Sequence, residues 1–214
     1  MKNQGFIIAR EGFKWIGIGV LLTLVLIILK APLFAIFSGI LTLFIVSFFR
    51  NPKRSIPSKP GLIVSPADGK ICLITEAHEK KFLKEPRRRV SIFMSPFNCH
   101  INRAPISGKV LDTSYSAGKF HVASVDKASD FNEQSALLLE DEQKNKFVVV
   151  QIAGWLCRRI VRYVKVGDCL LRGERFGLIQ FGSRVDLYLP PKASLQVHVG
   201  QSVRAGETVI GTLE

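Results

Sequence analysis

The sequence lacks most of the local signatures that announce a reaction. Its four cysteines, Cys72, Cys99, Cys157 and Cys169, are scattered with no C-x-x-C pair. That argues against a dithiol centre and for reduced thiols in a cytosol-facing domain. No set of His, Cys and carboxylate residues has metal-ligand spacing, so no metal is expected. Neither a ribonucleoprotein-type aromatic pair nor zinc-finger spacing is present, which speaks against nucleic acid as a partner. The modifiable-lysine tripeptide of biotinyl-type carriers is missing too. Acidic residues are few: 17 Asp and Glu stand against 30 Lys and Arg, for a net charge of +13. An excess of this size favours an anionic partner, and with no nucleic-acid reader in the chain an anionic bilayer surface is expected.

Hydrophobicity is unevenly placed. Between Trp15 and Phe49 the only charge is Lys30. At 1.5 Å per residue, the stretch 15–29 is short for a hydrocarbon core about 30 Å thick, while 31–49 nearly suffices. Lys30-Ala31-Pro32 interrupts them, because proline disfavours helix at the residue before it. Two helices in a hairpin are expected over residues 1–50. Lys2, Arg10 and Lys14 precede the pair and Arg50, Lys53 and Arg54 follow it, so two crossings let both basic flanks obey the positive-inside rule. The competing arrangement is a helical pair lying partly in the interface. A cleaved signal peptide is not expected, since the apolar stretch is long and a second one follows.

Residues 51–60 carry three prolines and read as an extended linker. From 61 to 214, apolar residues come in short runs punctuated by glycine and proline. Strands are expected at 62–64, 70–75, 89–94, 109–114, 147–152, 176–180, 185–189, 195–199 and 208–212. Helical pattern is sparse: one turn is expected near 98–102 and another near 126–132. The fold class is mainly β, a barrel or sandwich. Val166-Gly167-Asp168 leading to Gly173-Glu174 echoes Val199-Gly200-Gln201 leading to Gly206-Glu207, as in the half-units of lipoyl-type barrels.

Chemistry enters through segments taken together. A Gly-Ser dipeptide such as Gly182-Ser183 is usually only a turn, and Asp68 in Pro-Ala-Asp-Gly is an ordinary turn aspartate. Combined with Met94-Ser95-Pro96-Phe97-Asn98-Cys99-His100-Ile101-Asn102-Arg103, with Gly118-Lys119-Phe120 and with Asp126-Lys127-Ala128-Ser129, they resemble the phosphatidylserine decarboxylase family, in its short proenzyme class. The resemblance runs from about Asn51 to the C-terminus.

The resemblance implies a chain that cuts itself between Gly182 and Ser183, into 1–182 and 183–214, and converts Ser183 into a covalent pyruvoyl group. Glycine leaves the preceding carbonyl open to attack by the serine hydroxyl. The serine headgroup of phosphatidylserine would then form a Schiff base with the pyruvoyl, lose carbon dioxide and leave as phosphatidylethanolamine. The two chains would remain together as a heterodimer at the cell membrane, with the catalytic domain on the cytoplasmic face. Asp68 matches an aspartate of an Asp–His–Ser arrangement. His100 matches the first histidine of a His-x-x-His pair in larger relatives, and Arg103 stands where those relatives carry the second. His100 therefore serves both steps, or another residue takes one of them; Arg103 suits an anionic group of the substrate. His121 follows a loop the family places near its site and is kept as a substrate-binding candidate.

His78 reads as a solvated loop residue and His198 as an exposed strand position. Lys80-Lys81 and Arg87-Arg88-Arg89 read as a basic face for anionic headgroups or as a solvated loop. A different class of function is a membrane-tethered barrel without enzymatic activity, an adaptor in a transport or secretion assembly; the long helical hairpin common in such adaptors is absent.

Overall fold

The computed structural model describes residues 6–118, 132–154, 159–180 and 183–213. The chain divides into two compact units, Met1–Lys53 and Arg54–Glu214.

The first unit is a helical hairpin of α1 (Arg10–Ile28) and α2 (Pro32–Phe48). Lys30, with φ of 54°, turns the chain, and Pro32 opens α2 at a position where its missing N–H costs nothing. Small and polar residues line the seam. A Cβ on Gly12 would meet the Phe49 ring, a Cβ on Gly19 would meet Thr42, and Thr23 Oγ1 lies 2.9 Å from Ser38 Oγ. Close backbone approach through such residues is how helices pair when their outer faces are apolar. Those outer faces are exposed at Leu21, Ile28, Leu33, Phe37 and Leu43. By length and composition α1, with 19 residues and a mean hydropathy of 1.9, is sufficient to cross a membrane, and α2 is shorter at 17.

The second unit is β throughout its described residues. An eight-stranded antiparallel sheet has the order β13 (Ser202–Val203), β2 (Gly69–Glu79), β3 (Glu85–Met94), β11 (Ser183–Leu189), β7 (Lys146–Ala153), β6 (Gln134–Glu140), β5 (Gly108–Ser116) and β9 (Cys169–Leu170). Bulges in β2 and β5 curl it into a half-barrel. Two three-stranded sheets complete the unit: β4 (Ile101–Arg103), β10 (Arg175–Ile179) and β8 (Ile160–Arg162), with β10 central, and β1 (Leu62–Val64), β14 (Val209–Leu213) and β12 (Ala193–Leu195), with β14 central.

β11 is the middle of this architecture. Val185, Leu187 and Leu189 alternate into the main core with Ile63, Met94, Val149 and Phe176. Tyr188, from the other face, packs with Leu138, Val148 and Ile152. All seven residues of β11 are buried.

The mainly β class stands, and several local expectations are corrected. No helical turn forms at 98–102: an asparagine-closed turn occupies 95–98, with Asn98 Oδ1 accepting from Ser95 N and Oγ at 2.8 Å each, and β4 follows. His78 lies in β2, exposed, and His198 lies outside any strand. Of the residues expected to form a basic face, Arg87 pairs with Glu85 and Arg89 lies 3.9 Å from Asp186, while Lys80 and Arg88 are exposed. Burial shifts the Lys81 amine below its usual pKa despite nearby Glu79. Most of the turn expected near 126–132 falls outside the described residues.

Gly69 opens β2 so close to β3 that a Cβ there would sit 2.1 Å from the Phe93 carbonyl oxygen. Gly69→Ala is expected to lower stability by about 1–3 kcal/mol, the scale of overpacking, read as a depressed thermal midpoint; an unchanged midpoint would mean that β2 and β3 separate freely at this end.

Candidate active site

Ser183 begins β11, flanked by Met94 of β3 and Ala153 of β7, and is fully buried. Cross-strand partners share a face, so its side chain points with those of Met94, Ala153 and Val185 into the unit's interior. Its hydroxyl lies 3.5 Å from Met94 Sδ. Asn102 of β4 brings its side-chain Nδ2 to 3.7 Å from the same sulfur. Asn102 Oδ1 in turn accepts a 2.8 Å hydrogen bond from Gln151 Nε2. Gln151 stands opposite Val185 and hence diagonal to Ser183, a spacing that a long side chain spans. Gly177, opposite Asn102 in β10, makes room for this pair: a Cβ there would lie 2.8 Å from Gln151 Nε2.

His100 is fully buried just ahead of β4 and extends its ladder, its carbonyl accepting from Ile179 N at 3.2 Å. The two-residue period of a strand puts His100 and Asn102 on one face and Ile101 and Arg103 on the other. His100 Nδ1 lies 3.0 Å from the Asn98 carbonyl. A carbonyl only accepts, so this bond requires the proton on Nδ1 and leaves the lone pair on Nε2, the form in which an imidazole acts as a base.

Asp68 and Arg103 form a separate charged cluster. Asp68 Oδ1 accepts from Ala205 N and Oδ2 from Arg54 Nη2, each at 2.7 Å. Arg54 also lies 3.5 Å from Glu207. Burial alone would lower the Arg54 pKa, but Asp68 foremost, together with neighbouring Glu207 and Cys99, turns the net shift upward. Arg103 donates to the Gly173 carbonyl at 2.9 Å. Its pKa is pushed down to about 10, first by burial and then by the like charges of Arg175 and Arg54. By register, Asp68 precedes the β2 residue that faces the end of β3, so a whole strand separates it from Ser183, roughly 10 Å at the usual strand spacing.

The structure thus groups Asp68 with Arg103, and Ser183 with the strand face that carries His100. Gly182 and His121 lie outside the described residues. Three participants went unseen in the sequence. Arg54 was counted among the basic residues flanking the helices, yet its side chain is buried against Asp68. Asn102 and Gln151 bond across 49 positions, a separation with no local signal.

A family model described as phosphatidylserine decarboxylase matches residues 41–211. The chain is 47% identical over 218 residues to a protein of Geobacter metallireducens named phosphatidylserine decarboxylase proenzyme, covering 100% of both chains. Proteins with the same name from Geotalea uraniireducens and Syntrophotalea carbinolica are also 47% identical, over 213 and 214 residues, again with 100% of each chain covered.

Proposed function

The chain belongs to the phosphatidylserine decarboxylase family, and from that membership we propose that it matures by cutting itself between Gly182 and Ser183 and turning Ser183 into the pyruvoyl group that its reaction needs. As a phosphatidylserine decarboxylase, a lyase of phospholipid biosynthesis made as a proenzyme, it converts phosphatidylserine to phosphatidylethanolamine and carbon dioxide. The non-enzymatic adaptor finds no support beside relatives of this kind.

The observation that carries the maturation reading is the setting of Ser183. A serine hydroxyl fully buried at the start of a central strand, with a thioether as its neighbour, has given up water for a weak acceptor. That is costly for structure and useful for a nucleophile. His100, in the tautomer that its bond to Asn98 requires, offers a base on the strand face that Asn102 extends toward Ser183. Loss of the hydroxyl proton lets Oγ attack the Gly182 carbonyl, expelling the Ser183 nitrogen and leaving an ester. Elimination across Cα–Cβ then releases the Gly182 carboxylate and leaves dehydroalanine at residue 183, whose imine tautomer takes up water and loses ammonia to become the pyruvoyl.

The surroundings of Ser183 suit a planar keto amide, with apolar walls at Met94 and Ala153 and an amide N–H donor from Asn102. The pyruvoyl supplies an electron sink for the carbanion left by departing carbon dioxide. His100 holds the proton needed to quench that carbanion. Arg54, Arg103 and Arg175 set positive charge against Asp68 and Glu207, and Arg103 is the residue we assign to an anionic group of the headgroup. Asp68, one strand removed, we assign to positioning: it fixes Arg54 and the chain at Ala205.

After cleavage, residues 183–214 remain bound to 1–182 in this reading, because β11 keeps a full ladder on each side. The apolar hairpin α1–α2, with basic residues at both ends, supports a membrane anchor whose flanks share the cytoplasmic side.

Intact masses of the full-length protein, purified in detergent, test the proposal. Two chains are expected, 1–182 and 183–214, the smaller blocked at its N-terminus. A preparation that decarboxylates phosphatidylserine while remaining one chain would overturn it.

A further inference from the structure

Attack on the Gly182 carbonyl gathers negative charge on a single oxygen. When Ser183 Oγ bonds to the Gly182 carbonyl carbon, the electron pair of C=O moves onto its oxygen, and that oxyanion needs a hydrogen-bond donor beside a serine buried from solvent. We propose that Asn102 Nδ2 is this donor and that Gln151 is the residue that aims it; the inference rests on the self-cleavage reading.

Four observations converge. Asn102 Nδ2 and Ser183 Oγ approach the same atom, Met94 Sδ, at 3.7 Å and 3.5 Å, so they are no farther apart than those two distances combined. The scissile carbonyl carbon is bonded directly to Ser183 N, so the atom that Oγ attacks belongs to the peptide bond entering Ser183. A thioether is a poor acceptor, so moving the amide from sulfur to a developing oxyanion exchanges a weak bond for a charge-assisted one. The donor is preorganised without being spent.

Orientation is fixed as well. Asn102 Oδ1 accepts from Gln151 Nε2 at 2.8 Å, and an amide whose oxygen faces Gln151 must turn its NH2 the other way, toward Met94 and Ser183. Gln151 is itself fully buried, and its Oε1 finds no hydrogen-bond partner among the described residues. A pair kept only for packing would not carry a buried, unsatisfied acceptor, which two apolar residues of similar volume would avoid. Gly177, opposite Asn102, agrees with this: a Cβ there would lie 2.7 Å from the Val161 carbonyl oxygen and 2.8 Å from Gln151 Nε2, so glycine spares both the β8 backbone and the Gln151 amide.

The step balances without a further reactant. The Oγ proton passes to His100 Nε2, the C–O bond forms, the oxyanion collapses, the C–N bond breaks, and the nitrogen takes the proton back. Asn102 donates a hydrogen bond throughout and transfers no proton. Gln151 touches no reacting atom and is a positioning residue.

The test follows maturation of the full-length chain made by cell-free synthesis in lipid nanodiscs. Conversion of one chain to two is read over time for wild type, Asn102→Asp and Gln151→Met. Asn102→Asp keeps the shape and replaces the donor by an acceptor; it is expected to slow conversion about a hundredfold or more, the usual loss for one oxyanion donor. Gln151→Met leaves Asn102 in place but frees its orientation, and a smaller slowing, roughly tenfold, is expected. Hydroxylamine identifies the step, since it cuts esters and not amides, releasing a small chain that begins with unmodified serine, distinguished by mass. Wild type is expected to yield that species and Asn102→Asp to yield almost none. Maturation of Asn102→Asp at the wild-type rate overturns the proposal, and so does a slow variant that hydroxylamine cuts as readily as wild type. If Asn102→Asp fails to fold, Gln151→Met decides: an unchanged rate refutes the assignment. Failure of wild type itself to cleave would instead refute the self-cleavage reading.

Discussion

Ser183→Ala is expected to leave the protein as one uncut chain with no detectable decarboxylation of phosphatidylserine, while its thermal midpoint stays close to that of the proenzyme. The two halves of this outcome have separate physical origins. Activity vanishes because Oγ is both the nucleophile of chain cleavage and the leaving group of the elimination that would create the pyruvoyl; no neighbouring side chain can supply an atom at that position. Stability survives because the hydroxyl contributes little to the fold. Its neighbour is a thioether at 3.5 Å, whereas the backbone of residue 183 keeps its places opposite Met94 and Ala153. Removing a buried hydroxyl whose neighbour is a weak acceptor leaves no strong polar group unsatisfied and is close to neutral. Gel electrophoresis, intact mass and a thermal scan on the same sample check both halves. Cleavage at the same bond in Ser183→Ala would show that a different residue attacks.

Part of the proposed site is legible in the sequence, and the rest is hidden for physical reasons. Ser183, Asp68 and His100 were each visible because they sit in short segments whose combination is specific. The strand 62–64 was legible to the residue, as short apolar runs between turn residues are. β6 was missed altogether. Its sequence, Gln134 to Glu140, is rich in helix formers, and burial on both faces removes the alternation that marks a strand. β4 was misread as a turn of helix, and that error hid the most useful fact about Arg103. Once residues 101–103 are a strand whose ladder His100 extends, the two-residue period turns His100 and Arg103 to opposite sides, so an arginine at the second-histidine position belongs with Arg54 and Asp68. Arg54 was assigned to a linker because composition alone cannot show a side chain turning back to pair with a carboxylate 14 positions later. Sequence reports what is local; the missing pieces were made by burial, by pairing between strands and by side chains that reach across from one segment to another.

Asp186→Ala is expected to be the most destabilising single change in the catalytic unit, by about 3–5 kcal/mol, the scale for stripping a buried charge of its partner. Arg184 and Asp186 are each 1% exposed, two residues apart on the face of β11 turned away from Ser183. Arg184 Nε and Nη2 grip the two carboxylate oxygens at 2.8 Å and 2.9 Å, and Arg89 of β3 lies 3.9 Å from the same group. Both charges have left water, so removing either one takes a buried, charge-assisted partner from the other. The pair also bears on function in the proposed mature enzyme. There, no peptide bond joins residue 183 to the large chain, and β11 must be held by its ladders, by Val185, Leu187 and Leu189 in the core, and by this fork reaching toward β3. The measurement belongs in the Ser183→Ala background, where the chain stays intact and one unfolding transition is compared with another. The double change Arg184→Met with Asp186→Leu should recover most of the loss, because apolar residues of similar volume replace a buried ion pair at little or no cost. In the cleavable protein, Asp186→Ala should weaken retention of the small chain during native gel filtration. A double variant no more stable than Asp186→Ala would mean that the loss comes from packing around β11 and not from the stranded guanidinium.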